Sequence, residues 1–234
     1  MTGELTSELI AGCAILDREG LTTAFGHLSA RTADGGVVVS ANRGPGLVRD
    51  ERDLIALDTD GSAREDADQA LVPGEAAIHL RILARRPDAV SVCRFHGPSC
   101  LAFSTLGRPL SAAIGMGLFV GAEVPWFDTC TTITDAEHAD RLACCLGDGA
   151  AVLLRGFGAV TVGRSVSEAV VRAWMLERSA AAALAAGAVA TPLSYPAAAA
   201  EPFVAATGPA QAQIARAWNY LGRTNPIAKE LVHT

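Results

Sequence analysis

The chain has 234 residues, of which 50% are hydrophobic and 19% charged, with a formal net charge of −6. That supports one large domain with a proper core and argues against disorder; the acidic balance argues against nucleic acid as a partner, which needs a basic face. No apolar run nears the ~18 residues of a membrane span. The N-terminal MTGELTSELIAGCAILDREG lacks the basic start of a secretion signal, so a cytoplasmic protein is expected, with its six cysteines reduced and mostly buried.

Residues 4–18 have helical spacing, with Leu5, Leu9, Ile10, Cys13 and Leu16 on one stripe. GHLSAR (26–31) and GVVVSA (36–41) read as hairpin strands, and LIALD (54–58) as another that ends at the turn TDG. PGEAAIHLRILARRP (73–87) predicts a helix that stops before Pro87. AVSVCRF (89–95) is a central strand, and Pro98 opens a helix over 98–105. The glycine-rich, apolar stretch 111–129 is expected as strands and loops close to a pocket. Thr134 with Glu137, and Ser165 with Glu168, have capping-box spacing. Each opens a helix, the second running to about Ala186. AAVLLRG and GAVTVG are strands around a turn at 155–158. The Ala/Pro-rich segment 187–209 is expected as an irregular crossing before a last helix, 210–223, that carries Trp218 and Tyr220. Strands and helices mix without a βαβ repeat, so a single domain over 1–234, an α/β sandwich with a mixed or mostly antiparallel sheet, fits best.

Several residues could carry chemistry. Glu75 and His79 lie four apart on one helix face; they read either as a surface or interface pair or as a general acid or base at a pocket edge. Arg94 and His96 stand two apart at the end of an apolar strand, where a charge must find a partner or water. SANRGPG (40–46) suits anion binding through Arg43 and backbone N–H groups, without being a Walker motif. LLRGFGAV places Phe157 in a tight turn, and His27 follows Gly26 beside a strand.

Read in order, these segments resemble the class II aldolase/adducin family. GHLSAR is similar to its G-N-x-S-x-R and GEAAIH to its S-E-x-x-x-H. AVSVCRFHGPSCLAFS is similar to its V-V-H-x-H strand and helix, and LLRGFGAVTVGRSVSEA to its L-L-x-x-H-G segment. The resemblance spans residues from about 5 to 185. It implies a three-layer α/β/α sandwich with a mixed, mostly antiparallel central sheet, usually a homotetramer with sites between subunits. It also implies a zinc held by three histidines and assisted by a glutamate. By position Glu75 is the glutamate and His96 the second histidine, but Arg94 and Phe157 stand where the first and third histidines should be. Neither can bind zinc, so a divalent metal (zinc, manganese or iron) has a place only in a site rebuilt around His96. Asn42, Arg43, Pro73 and Gly74 replace the phosphate grip of the sugar-phosphate aldolases, and His27 replaces a substrate-contacting asparagine.

Arginine holds carboxylates through paired hydrogen bonds. Arg94 and Arg43 therefore suggest an acidic substrate, with Phe157, Trp126 or Trp218 packing on an aromatic ring and Tyr220 closing a neighbouring subunit's pocket. The branch of the family that decarboxylates hydroxylated aromatic dicarboxylates, in aromatic-acid catabolism, fits these changes. Glu75, His96 and Arg94 are then the catalytic candidates, and His27, Asn42, Arg43, Phe157 and Tyr220 the substrate-binding ones. Three readings stay open: such a decarboxylase, an aldol-type or cyclising enzyme of a biosynthetic pathway, and a non-catalytic interaction module like the head domain of adducin.

Overall fold

Alternating side chains in the strands decide where the helices sit. The computed structural model describes residues 3–64 and 67–231. Its strands are β1 (His27–Arg31), β2 (Val37–Ser40), β3 (Leu54–Leu57), β4 (Ser91–Phe95), β5 (Leu110–Ser111), β6 (Glu123–Val124), β7 (Trp126–Phe127), β8 (Ala151–Leu154) and β9 (Gly158–Gly163). Seven of them form one sheet in the order β3-β2-β1-β4-β9-β8-β7, while β5 and β6 pair apart from it. Within the large sheet all neighbours run antiparallel except β7 and β8.

The helices are α1 (Gly3–Arg18), α2 (Ala76–Arg85), α3 (Pro98–Ser104), α4 (Ala136–Leu146), α5 (Val166–Gly187), α6 (Ala200–Thr207) and α7 (Ala210–Arg223). Leu28 and Ala30 of β1, Cys93 and Phe95 of β4, and Ala151 and Leu153 of β8 join a core with α1, α3, α5 and α7. Val92, Val152, Leu154, Val160 and Val162 enter a second core with Ile78, Ile82 and Leu83 of α2 and Leu142 and Leu146 of α4. Helices thus cover both faces of a mixed, mostly antiparallel sheet, and the fold is the expected three-layer α/β/α sandwich.

Two local expectations change. Residues 187–209 are not an irregular crossing throughout, because 200–207 form α6. Pro202 falls in the first turn of that helix, where the backbone N–H has no helical partner to lose. The cap of α4 is Asp135, whose carboxylate accepts from the His138 N–H, and Thr134 lies one residue outside. The stretch 111–129 does form short strands and loops close to a pocket, but that pocket is a groove on the α5 side lined by Met116 and Phe119, not the cleft described below. Ser165 does cap α5, accepting from the Glu168 N–H at 3.1 Å. Among the described residues no helix is long and apolar enough to cross a membrane. The cysteines are all free: Cys13, Cys93 and Cys100 are buried, Cys145 is half-buried, and Cys130 and Cys144 are exposed.

Candidate active site

β4 lies in the middle of the sheet, hydrogen-bonded to β1 on one side and β9 on the other. His27 of β1 sits opposite Arg94 of β4 in the ladder. Since Cys93 and Phe95 face the α1/α5 core, Arg94 faces the α2 layer, and His27 and Ser29 share that face with it. α2 crosses over them and presents His79. Glu75 is the residue just before α2, and its Oε1 accepts from the Ile133 N–H at 3.3 Å. Together these elements leave a cleft of about 380 Å³ lined by Phe25, His27, Asn42, Glu75, Arg94, His96, Thr132, Thr134 and Phe157, among others.

Arg94 forms the cleft floor and is fully buried. Its Nη1 donates to the Phe95 carbonyl at 3.0 Å and to the Phe157 carbonyl at 2.6 Å. Its Nε lies 3.2 Å from Glu75 Oε2 as an ion pair, but out of line for a good hydrogen bond. Nη2 has no partner among the described residues. Burial pushes the guanidinium pKa down, and the neighbouring Glu75 opposes that. Phe157 can place its carbonyl there because the turn tightens at Gly158, which has a φ of 85°. A Cβ on Gly158 would collide with the Phe95 carbonyl.

The histidines differ in their partners. His27 Nε2 is 3.7 Å from Glu75 Oε2. Its Nδ1 is 2.7 Å from His79 Nε2, and His79 Nδ1 is 2.6 Å from Ser29 Oγ. Burial holds His27 well below the ordinary imidazole range, with His79 and Arg94 adding to the effect. Burial, followed by the charge of Arg94, lowers His79 to about 3. The same two causes lower His96 to about 3. The His96 Nδ1 is buried without a partner among the described residues, and its ring meets Phe25 edge-on at 6.4 Å.

Of the residues singled out in the sequence, Glu75, Arg94, His96, His27, Asn42 and Phe157 line this one cleft. Arg43 and Tyr220 do not. Arg43 is drawn to Asp53, 2.9 Å away, so it is not a second cleft arginine. Tyr220 is 63% exposed and lines a separate groove with Trp174 and Met116. Trp218 is buried in the α1/α5 core, and Trp126 donates to the Ser104 carbonyl. Glu75 and His79 are not a surface pair, because His79 is fully buried. Sequence reasoning missed Ser29, Phe25, Thr132 and Thr134. Ser29 was visible as a polar residue that shares a face with His27.

The donor set does not suit the zinc that the family resemblance implies. The cleft offers two imidazoles, His27 and His96, beside a guanidinium and a phenyl ring; the inner nitrogen of His27 is taken up by His79, and the carboxylate is already paired to the guanidinium. Among the described residues no group of three or more His, Cys, Asp or Glu side chains is placed to hold a metal. What the arrangement can do is bind an anion on Arg94 and hold a weakly basic imidazole against it.

Residues 7–184 match the family described as Class II Aldolase and Adducin N-terminal domain. The chain is 30% identical over 175 residues to a 3,4-dihydroxyphthalate decarboxylase of Arthrobacter keyseri, covering 69% of this chain and 70% of that one. It is 29% identical over 184 residues to Decarboxylase tropJ of Talaromyces stipitatus, covering 70% and 69%. Among solved structures, an aldolase II superfamily protein from Pseudomonas syringae superposes with a TM-score of 0.80 at 23% identity, over 97% of this chain and 93% of that one.

Proposed function

The chain belongs to the class II aldolase and adducin family, and from that premise we propose that it is a carbon–carbon lyase that decarboxylates a hydroxylated aromatic dicarboxylic acid of the dihydroxyphthalate type. One observation carries the reading: a fully buried guanidinium on the cleft floor whose Nη2 has no partner among the described residues. A buried charged donor left unmade costs about 1–3 kcal/mol or more. A substrate carboxylate would recover that cost through charge-assisted hydrogen bonds. The decarboxylases among the relatives support the reaction type and the dihydroxyphthalate of Arthrobacter keyseri the substrate class.

In the proposed mechanism Arg94 anchors one carboxylate and Phe157 packs against the ring. His96, once protonated, donates to the ring carbon that bears the second carboxylate. A C–H bond forms there, with the ring electrons supplied by an adjacent phenol. The bond to the carboxylate then breaks, carbon dioxide leaves, and its electron pair restores aromaticity. Burial and the charge of Arg94 keep His96 neutral in the free protein, so its proton enters with the substrate, whose negative charge favours the imidazolium. Glu75, paired to Arg94, is the electrostatic partner. A positioned proton donor contributes typically ~10²- to 10⁴-fold. A homotetramer with sites between subunits is part of the proposal: Phe25, at the cleft mouth and 70% exposed, is an apolar side chain that a neighbouring copy would cover.

The test is release of carbon dioxide from a panel of hydroxylated phthalates. Turnover of at least one member is expected. Retro-aldol cleavage of a non-aromatic hydroxy acid without any carbon dioxide would favour the aldol-type reading, and binding without turnover would favour an interaction module.

A further inference from the structure

Ser29, His79 and His27 stand in single file from the core to the cleft. The contacts are 2.6 Å between Ser29 Oγ and His79 Nδ1 and 2.7 Å between His79 Nε2 and His27 Nδ1, and His27 Nε2 then lies 3.7 Å from Glu75 Oε2. Burial keeps both imidazoles neutral, so each ring carries one proton and has one lone pair. The polarity of the file follows from its two ends. Ser29 is fully buried, and among the described residues its hydroxyl contacts only His79. If His79 Nδ1 carried the proton, the serine hydrogen would have no acceptor, and buried polar groups rarely go without. At the other end the Glu75 carboxylate can only accept. Both ends ask for the same direction: Ser29 O–H donates to His79 Nδ1, His79 Nε2–H to His27 Nδ1, and His27 Nε2–H points to Glu75 and the cleft.

We propose that Ser29 and His79 are positioning residues that lock His27 in the Nε2–H tautomer, making it a fixed hydrogen-bond donor on the cleft wall rather than a base. The inference rests on the lyase reading only for what the donor serves. His27 and Arg94 then flank the Glu75 carboxylate from two sides, which leaves His96 as the residue free to carry a proton to the substrate. The lock also explains why a serine and a histidine lie deep under β1, where aliphatic side chains would pack as well.

The test reads tautomers directly and needs no substrate. The full chain is labelled with ¹⁵N-histidine, and long-range proton–nitrogen correlations are recorded for wild type, Ser29→Ala and Ser29→Thr, with His79→Gln used for assignment. Wild type is expected to show His27 and His79 both as neutral Nε2–H forms. Ser29→Ala should bring up an Nδ1–H population of His27, and Ser29→Thr, which keeps the hydroxyl, should suppress it. With a turned-over phthalate, Ser29→Ala should lower kcat more than it raises KM, and Ser29→Thr should restore it. An Nδ1–H His27 in wild type, or a His27 tautomer unchanged in Ser29→Ala, overturns the proposal. Should Ser29→Ala fail to fold, the wild-type tautomer decides alone. If the spectra agree but no phthalate is turned over, the lock stands and the lyase reading is what fails.

Discussion

Acid should destabilise this protein through its buried histidines. His79 is fully buried, and burial with the nearby Arg94 lowers its pKa from 6.5 to about 3. In the unfolded chain it returns to about 6.5. The folded pKa is the depressed one, so below about pH 6.5 the unfolded state takes up a proton that the folded state refuses. Stability is therefore complete above that pH and is lost as pH falls toward 3. Between about pH 7.5 and about pH 5.5 one such histidine removes about 1.4 kcal/mol. His27 is shifted the same way, chiefly by burial, and adds to the loss. The assay is urea unfolding followed by circular dichroism at both pH values, for wild type and His79→Gln. The variant starts less stable, because it breaks the contacts to Ser29 and His27. Its stability should nevertheless fall by about 1.4 kcal/mol less than wild type over the same pH interval. An equal loss in both proteins would show that His79 is not kept neutral by the fold.

The pH dependence of turnover should run the opposite way, and for a different reason. His96 is held to about 3 by burial and Arg94 and must gain its proton with the substrate, so kcat/KM should fall about tenfold per unit as pH rises through neutrality; a flat profile would remove His96 as the donor. Activity should survive prolonged treatment with a strong chelator, because the cleft has exchanged imidazoles for Arg94 and Phe157; loss on chelation with recovery on adding zinc, manganese or iron would show a rebuilt metal site. Gly158→Ala should cost about 1–3 kcal/mol in thermal or urea unfolding, since it combines a φ of 85° with a collision at the Phe95 carbonyl; a neutral effect would mean that the turn holding the Phe157 carbonyl on Arg94 is looser than its geometry.

Much of the scaffold was legible because strand and helix periods speak plainly. SVCRF is an apolar run broken by Arg94, as a strand with cores on both faces should be, and the α2 sequence places Ile78, Ile82 and Leu83 on its buried face. His79 lies on that same face, so it could have been read as buried; pairing it with Glu75 on spacing alone concealed this. In HLSAR the polar residues His27, Ser29 and Arg31 share one side of a strand whose other side is core, which was the signal for a polar seam under α2. Arg43 was misleading because its partner, Asp53, stands ten residues away across a turn that no local pattern reveals. Tyr220 was placed by analogy with subunit assembly rather than by any pattern in α7. The helix at 200–207 was hidden by its alanines and by Pro202, which reads as a breaker unless its position in the first turn is known. That Arg94 would end with no partner for Nη2 among the described residues depends on where the Phe95 and Phe157 carbonyls fall, and backbone geometry of that kind is set by the packed sheet rather than by the residues in sequence.

The most direct test of the account is calorimetric binding of phthalate, an aromatic dicarboxylate without the hydroxyl groups that assist its decarboxylation, to wild type and to Arg94→Met. About one phthalate per chain is expected, with at least a tenfold weaker affinity for the variant, or about 1.4 kcal/mol, and with cooperative unfolding retained. Equal affinity in the two proteins would contradict it, because the acid would then be held by something other than the guanidinium on the cleft floor.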